Sequence, residues 1–404
     1  MAPAVPVIRD RVDVLDAVRG AAVLGILFVN IESLSGYTFL SPVERASLPL
    51  GEWNGAAEAM VTIFVEGKFY ALFSLLFGIG FAVFVQRAQA RGADAVRLFR
   101  RRLTGLFLIG LAHTLLIWFG DILVTYAMLG FGLIPFLRKD DRVLLRWAAA
   151  LLLLPAVLYA LAAGAALFVT PPVARGPDGA LPPVLANAVE HYRTGSYRQV
   201  VEANVVMTVA NALRRLSLMF FPRVFAMFLI GLYVGRLGML TNVERYARRL
   251  RQIAVWGALG GLPLSVAGAL APDHLPIAGA LLVEGVAKSL AIPALTLAYA
   301  AGLCLLFRAS PWLMRAFAAA GRMALSNYLV HSIVGVVVCY GIGFGFFGRV
   351  SLTVALALAV AVFAVQIVAS DAWLSRAAFG PAEWVWRTFT YGRRFPLFKA
   401  AVSR

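Results

Sequence analysis

The sequence predicts an all-α integral membrane protein, a bundle of about ten transmembrane helices with both termini cytoplasmic. Three observations point there. Of 404 residues 61% are apolar and 14% charged, with a mean hydropathy of +0.83. A soluble domain carries about a quarter charged residues to cover its surface, so much of this surface faces lipid. Apolar stretches near the roughly 20 residues that a spanning helix needs recur along the chain. Finally, the basic residues crowd into alternate connecting segments.

In order, the candidate spans are residues 14–34, 61–86, 103–119, 122–137, 147–169, 217–236, 253–271, 277–306, 323–346 and 351–371. The third and fourth are short and joined by the turn Phe119-Gly120-Asp121, which also allows a partly re-entrant pair. With the N-terminus inside, 26 of the 37 lysines and arginines fall in cytoplasmic segments and seven in outer ones. That asymmetry obeys the positive-inside rule. Residues 1–371 thus read as one polytopic membrane domain. The opening MAPAVPVIRDRV has no cleavable signal pattern, so the first apolar segment is expected to remain as a helix.

Two stretches stand outside the spans. Residues 170–216 form the longest outer segment, with Pro171-Pro172 at its start, and its second half, Leu185 to Leu213, suits a helix lying on the outer surface. Residues 372–404 form a cytoplasmic tail in which aromatic and basic side chains alternate from Trp384 to Arg394, a composition suited to the head-group level. No internal repeat is visible, which disfavours inverted-repeat transporter folds.

The net charge of +17 follows from topology and contact with anionic lipid, and the loops are too short for a nucleic-acid-binding domain. Membrane lipids are the expected partners. Cys304 and Cys339 fall in apolar stretches as small core residues, and the four histidines show no metal spacing. Gly302 alone does not make a dimer face.

Ionisable groups within spans cost on the order of 2.5–3.5 kcal/mol each on insertion scales and therefore face a cavity, pair or carry function. In the first helix Arg19 and Asn30 are 11 residues apart, about three turns, on one face. Asp16 is placed to pair with Arg19, which otherwise reads as an inner-end anchor. Glu66 and Lys68, two residues apart, fall on different faces of a helix and need separate partners. His113 is the foremost candidate, a general base near neutral pH whose tautomer a carboxylate such as Asp121 would fix. A satisfied structural histidine is the plainer alternative. Asn30, Glu66, Lys68, Asp121 and Arg223 reach similar depth in the outer half, where Arg223 suits a carboxylate, phosphate or oxyanion. Glu284 and Lys288 are spaced as an intrahelical ion pair. Asn327 and His331 share a face deeper in the membrane, Asn327 as a binding residue and His331 ranked below His113.

Several stretches together resemble the YeiB-like family of bacterial membrane proteins. They are Leu15-Asp-Ala-Val-Arg-Gly20 with Gly25-Ile-Leu-Phe-Val-Asn30, Phe64-Val-Glu-Gly-Lys-Phe69 with Leu72-Phe-Ser-Leu-Leu-Phe-Gly78, and Arg102-Leu-Thr-Gly-Leu with His113 and Gly120-Asp-Ile-Leu123. Gly321-Arg-Met-Ala-Leu-Ser-Asn-Tyr328 and Gly380-Pro-Ala-Glu-Trp-Val-Trp-Arg387 with Tyr391-Gly392 follow. Each motif is weak alone, but the ordered set covers nearly the whole chain. That family is itself distantly similar to the transmembrane acyltransferases. The resemblance implies a bacterial cytoplasmic-membrane enzyme that takes an acyl group from a cytoplasmic thioester such as acyl-CoA to a small-molecule, glycan or lipid acceptor outside. The acyltransferases often carry a histidine eleven residues after the first-helix arginine. Here that position is Asn30, leaving His113 as the base, Asp121 or Glu66 to orient it, Asn30 or Arg223 for the oxyanion and Arg19 for donor phosphates. A transporter or flippase with a polar cavity suits the same charges, as does a non-catalytic lipid-binding scaffold.

Overall fold

The structure, a computed structural model, describes residues 13–168, 181–217, 219–240 and 242–399. Among these the backbone is helical throughout except for connecting turns and one isolated bridge between Ala377 and Phe398. Pro171-Pro172 lies outside the described residues.

Helix α1, Asp13–Leu34, packs in the core. A lead-in helix, Asn54–Met60, runs through a π-turn at Val61–Val65, and the chain breaks at Glu66-Gly67 before α2, Lys68–Ala90. Next come α3, Ala95–Leu116, and α4, Leu123–Leu133. Then follow α5, Asp141–Ala166, and two helices on one side of the bundle, α6 at Pro183–Thr194 and α7 at Tyr197–Ser217. The second half holds α8, Phe220–Leu237, and α9, Val243–His274. Helix α10, Ile277–Val286, joins α11, Ile292–Ala309, through a second π-turn at Ala287–Ala291. Last are α12, Pro311–Arg322, α13, Ala324–Cys339, α14, Leu352–Arg376, and α15, Pro381–Tyr391.

Among the described residues seven helical runs are long and apolar enough to cross a membrane: α1, the run Gly51–Ala90, α5, α8, α9, the run Ile277–Ala309 and α14. The pair α12–α13, bent by 74°, makes eight if it counts as one span. This falls short of ten at the two shortest predicted spans. Residues 103–119 are the apolar end of α3, whose first two turns carry Arg97, Arg100, Arg101 and Arg102. Residues 122–137 contain an 11-residue helix and a 3₁₀ turn. At 1.5 Å per residue, α4 reaches roughly 16 Å, about half the hydrocarbon thickness. Together α3 and α4 form a hairpin against the bundle. The surface helix expected over 185–213 is two helices, divided at Gly195-Ser196.

The arginine-rich helix ends gather at one end of the bundle. Arg236 at the end of α8 pairs with Asp141 at the start of α5, at 2.8 Å, and Arg308 of α11 pairs with Glu244 of α9. The predicted tail docks there: the indole Nε1 of Trp386 donates to the Arg102 carbonyl at 2.7 Å, and the Arg102 guanidinium lies 3.8 Å over the Trp386 ring. Glu383 of α15 caps the bend, accepting from the Leu325 and Ser326 amides at 2.7 and 3.1 Å. Those amides are orphan donors at the start of α13, and a carboxylate there also meets the positive helix end.

Helices α1 and α12 touch backbone to backbone. A Cβ on Gly321 would lie 1.8 Å from the Asp16 carbonyl oxygen, and one on Gly20 2.2 Å from the Phe317 carbonyl oxygen. Small residues at such crossings are how membrane helices gain van der Waals contact. Gly321→Ala is therefore expected to force α1 and α12 apart, at a cost of about 1–3 kcal/mol. A lower melting temperature in detergent checks this; an unchanged one would show that the crossing yields freely.

Candidate functional site

Opposite the arginine-rich end, the helix ends enclose a cavity of about 650 Å³. Its wall takes Asn30 and Glu32 from the end of α1, Glu66, Lys68 and Tyr70 from the break before α2, and Trp118, Phe119, Gly120 and Ile122 from the α3–α4 turn. Arg215 of α7, Arg223 of α8, Ser265 and Asp273 of α9, Lys288 of the second π-turn and Tyr328 of α13 close it.

The two π-turns shape this wall. A π-turn inserts a residue and frees a carbonyl, and such bulges concentrate at functional sites. Here the freed carbonyls are taken up by side chains: Lys68 Nζ donates to Thr62 O at 2.6 Å, Ser265 Oγ to Ile63 O at 2.8 Å and Tyr299 Oη to Phe64 O at 3.0 Å. Gly67 then takes φ +83°, where a Cβ would also meet Ile292 at 2.6 Å. Its turn separates Glu66, which is exposed, from Lys68, which is 4% exposed. That break, more than helical spacing, is why the two do not pair.

At the mouth, Glu58 accepts from Arg45 at 2.9 Å and from Tyr37 at 2.7 Å. Burial and that bond to Glu58 raise the Tyr37 phenol above its ordinary pKa, so it stays a donor. Glu284 and Lys288 form the expected ion pair, joined by the Tyr159 hydroxyl. Among the described residues no group of three His, Cys, Asp or Glu side chains is placed to hold a metal ion.

His113 is not on the cavity surface. It sits one side chain behind it, with its ring centroid 5.2 Å from Tyr328 and 6.4 Å from Trp118, both wall residues. Its Nδ1 lies 2.9 Å from Asp121 Oδ1 and its Nε2 2.9 Å from Ser332 Oγ. The three side chains are buried, at 1%, 4% and 0% exposure for His113, Asp121 and Ser332. A carboxylate beside Nδ1 places the proton there and leaves Nε2 to accept from the serine hydroxyl. The other Asp121 oxygen accepts the Val124 amide at 2.8 Å and so caps α4. Arg215 donates to the Asp121 carbonyl at 2.7 Å and holds the turn against α7.

The remaining predicted residues scatter. Asn30, Glu66, Lys68 and Arg223 share the cavity. Arg19 does not: it bonds Asp16 at 2.5 Å toward the other end of α1. Asn327 is buried between α13 and α14, donating to Ala320 O and Ser370 Oγ at 3.0 Å each. His331 likewise faces α14, its Nε2 2.6 Å from Gln366 Oε1. Cys304 and Cys339 are free and buried. Sequence reasoning missed Ser332, Arg215, Tyr328, Tyr70, Trp118 and Glu32. Only Glu32 carried a signal, as a charge at the end of an apolar span.

Comparison with known proteins gives a consistent set. A family model described as "Protein of unknown function (DUF418)" matches residues 234–393. Over nearly full length the chain is 31% identical to the uncharacterized protein YxaH of Bacillus subtilis, covering 97% of both chains. It is 30% identical to the uncharacterized protein YeiB of Escherichia coli, covering 94% of this chain and 96% of the other. An uncharacterized 39.9 kDa protein of Bacillus acidopullulyticus is 31% identical over 96% of both. No solved structure matches.

Proposed function

This chain belongs to the YeiB-like family, and from that premise we propose that it is a membrane-bound acyltransferase of the bacterial inner membrane. The acyl group would come from a cytoplasmic thioester such as an acyl-coenzyme A and go to an acceptor held in the cavity on the outer side. The observation that carries this reading is the chain Asp121–His113–Ser332, in which a carboxylate orients an imidazole and the imidazole receives a hydroxyl. That order of groups is recognised by geometry and roles across unrelated folds.

In this mechanism the Ser332 hydroxyl gives its proton to His113 Nε2 as Oγ attacks the thioester carbonyl. The carbon–sulfur bond breaks, and the leaving thiolate takes the proton back from the imidazolium. The acyl-serine is then attacked by an acceptor hydroxyl or amine, whose proton passes to His113 and on to Ser332 Oγ. Asp121 holds the tautomer throughout. Tyr328, one turn before Ser332 on α13, lines the cavity with its ring 5.2 Å from that of His113, so in this mechanism turnover requires its side chain to swing aside. Asn30 and Arg223 face the acceptor side.

Incubating purified protein with a long-chain acyl-coenzyme A is expected to release free thiol and add one acyl mass to the peptide containing Ser332. No acylation there, with thiol release unchanged, would overturn the serine route.

A second reading, a small-solute or lipid transporter, is favoured by one observation: none of the three buried groups lines the cavity. The measurement that separates the two is thermal stabilisation by the thioester, which an acyltransferase shows. A transporter instead carries solute into liposomes without consuming a donor.

A further inference from the structure

We propose that the hollow between α3 and α15, at the arginine-rich end of the bundle, binds one anionic phospholipid of the adjoining leaflet. Its phosphate rests on Arg97 and Arg100, and its chains run along Leu108 and Leu111. The site lies at the opposite end of the bundle from the cavity and stands whether or not the chain transfers an acyl group.

The hollow has a volume of about 560 Å³, within the range of small-ligand sites. Its lining takes Arg97, Arg100, Arg101 and Thr104 from α3 and Phe389 from α15. The second wall is fixed to the first. Arg101 donates to the Phe389 carbonyl at 2.8 Å, and at Gly105 the helices approach so closely that a Cβ would meet Phe389 at 2.8 Å and Trp386 at 3.1 Å.

The charge in this hollow is one-sided. Among the described residues Arg97 and Arg100 make no ion pair, whereas Arg19, Arg236 and Arg308 at the same end are matched by Asp16, Asp141 and Glu244. Asp94, the acid in the lining, accepts the Arg97 amide at 3.0 Å as the cap of α3. Arg102, half-buried, lies within electrostatic range of Arg19 and Arg387 and adds to the positive field. Guanidinium forks match the oxygens of a phosphate, and basic pockets beside spanning helices on the cytoplasmic side suit anionic head groups.

What favours a lipid over a soluble anion is the continuation of the same face. Arg97, Arg100, Arg101, Thr104, Leu108 and Leu111 recur every three or four residues, so they share one side of α3, and all are exposed. Leu108 stands about 12 Å along the axis from Arg100, where the chains of a lipid leave its head group. Val385 and Phe389, one turn apart on α15, are exposed as well. A soluble phosphate ligand would use the arginines and leave these apolar side chains uncovered.

The test is native mass spectrometry of the purified protein in detergent, titrated with phosphatidylglycerol and with phosphatidylcholine of the same acyl chains. One phosphatidylglycerol is expected to be retained in preference to phosphatidylcholine. Arg97→Gln with Arg100→Gln should weaken it about ten-fold or more, since each basic residue near an anionic head group contributes on the order of a five-fold factor. Arg97→Lys with Arg100→Lys should keep part of the binding. Arg248→Gln with Arg251→Gln removes the same charge from exposed positions on α9 that do not line this hollow, and should leave the binding unchanged. Melting curves in lipid-free detergent establish that each variant folds. Inorganic phosphate and coenzyme A, which carry phosphate without lipid chains, should fail to displace the lipid at equal concentration. Equal retention of the two lipids, an equal loss from the α9 variant, or displacement by either soluble phosphate would overturn the proposal.

Discussion

Ser332→Ala is expected to lower acyl transfer about 1,000-fold or more, with little change in folding. The serine occupies a site with no exposure, and its hydroxyl is spent on one bond, to His113 Nε2 at 2.9 Å. Alanine keeps the backbone and the Cβ and removes only that oxygen, so α13 should pack as before. The chemistry loses its nucleophile, and general-base assistance, worth about 10²–10⁴-fold on its own, then has nothing to act upon. His113→Ala should lower transfer by a comparable factor but at a larger structural cost, since it opens a void beside Trp118 and Tyr328 and strips two hydrogen bonds. Non-additivity is the sharper reading: groups that act as a unit lose about as much together as singly. A double variant no slower than Ser332→Ala fits a relay. Losses that multiply, or a Ser332→Ala protein with full transfer, would mean that the serine only holds the histidine in place.

Much of this arrangement was legible before any fold was known, and the reasons are physical. Spans such as α1, α8, α9 and α14 announce themselves because lipid admits few charges over 20 residues. Charges that break the pattern mark the cavity for the same reason, which is how Glu66, Lys68 and Arg223 were found together with Asn30. Asp121 was legible as a carboxylate eight residues from His113 at a turn, and it does hold Nδ1. Ser332 was not legible. A serine in an apolar helix costs little and occurs in many helices for packing alone, and only tertiary structure brings it 219 positions to His113. The adjacent His331 drew attention instead, yet a one-residue step turns a side chain by about 100° on a helix, which aims it at Gln366 on the opposite side. The number of spans was less legible, for a related reason. Apolar length in α3 and α4 reports burial against other helices as readily as burial in lipid, and hydropathy does not distinguish the two.

The largest stability effect is expected at Asp121, a residue whose carboxylate serves two elements and whose backbone carbonyl serves a third. Its Oδ1 holds His113 of α3, its Oδ2 caps α4 through the Val124 amide, and its carbonyl receives Arg215 of α7. Asp121→Ala removes both side-chain bonds at once. It leaves a buried imidazole N–H unpaired, at about 1–3 kcal/mol, and an uncapped helix start, at about 1 kcal/mol. Together these come to about 2–4 kcal/mol, which should appear as a drop of several degrees in the melting temperature. Asp121→Asn is the informative contrast. Its amide oxygen can still cap Val124 while its NH₂ faces His113 Nδ1, which must then accept. The proton moves to Nε2, and the imidazole donates to Ser332 instead of receiving from it. Stability is therefore largely kept while transfer falls steeply, by about 10⁴-fold if the carboxylate's work is to hold the tautomer. An Asp121→Ala protein that melts with wild type would mean that the turn between α3 and α4 is held without the carboxylate. An Asp121→Asn protein with wild-type transfer would mean that the imidazole takes no proton.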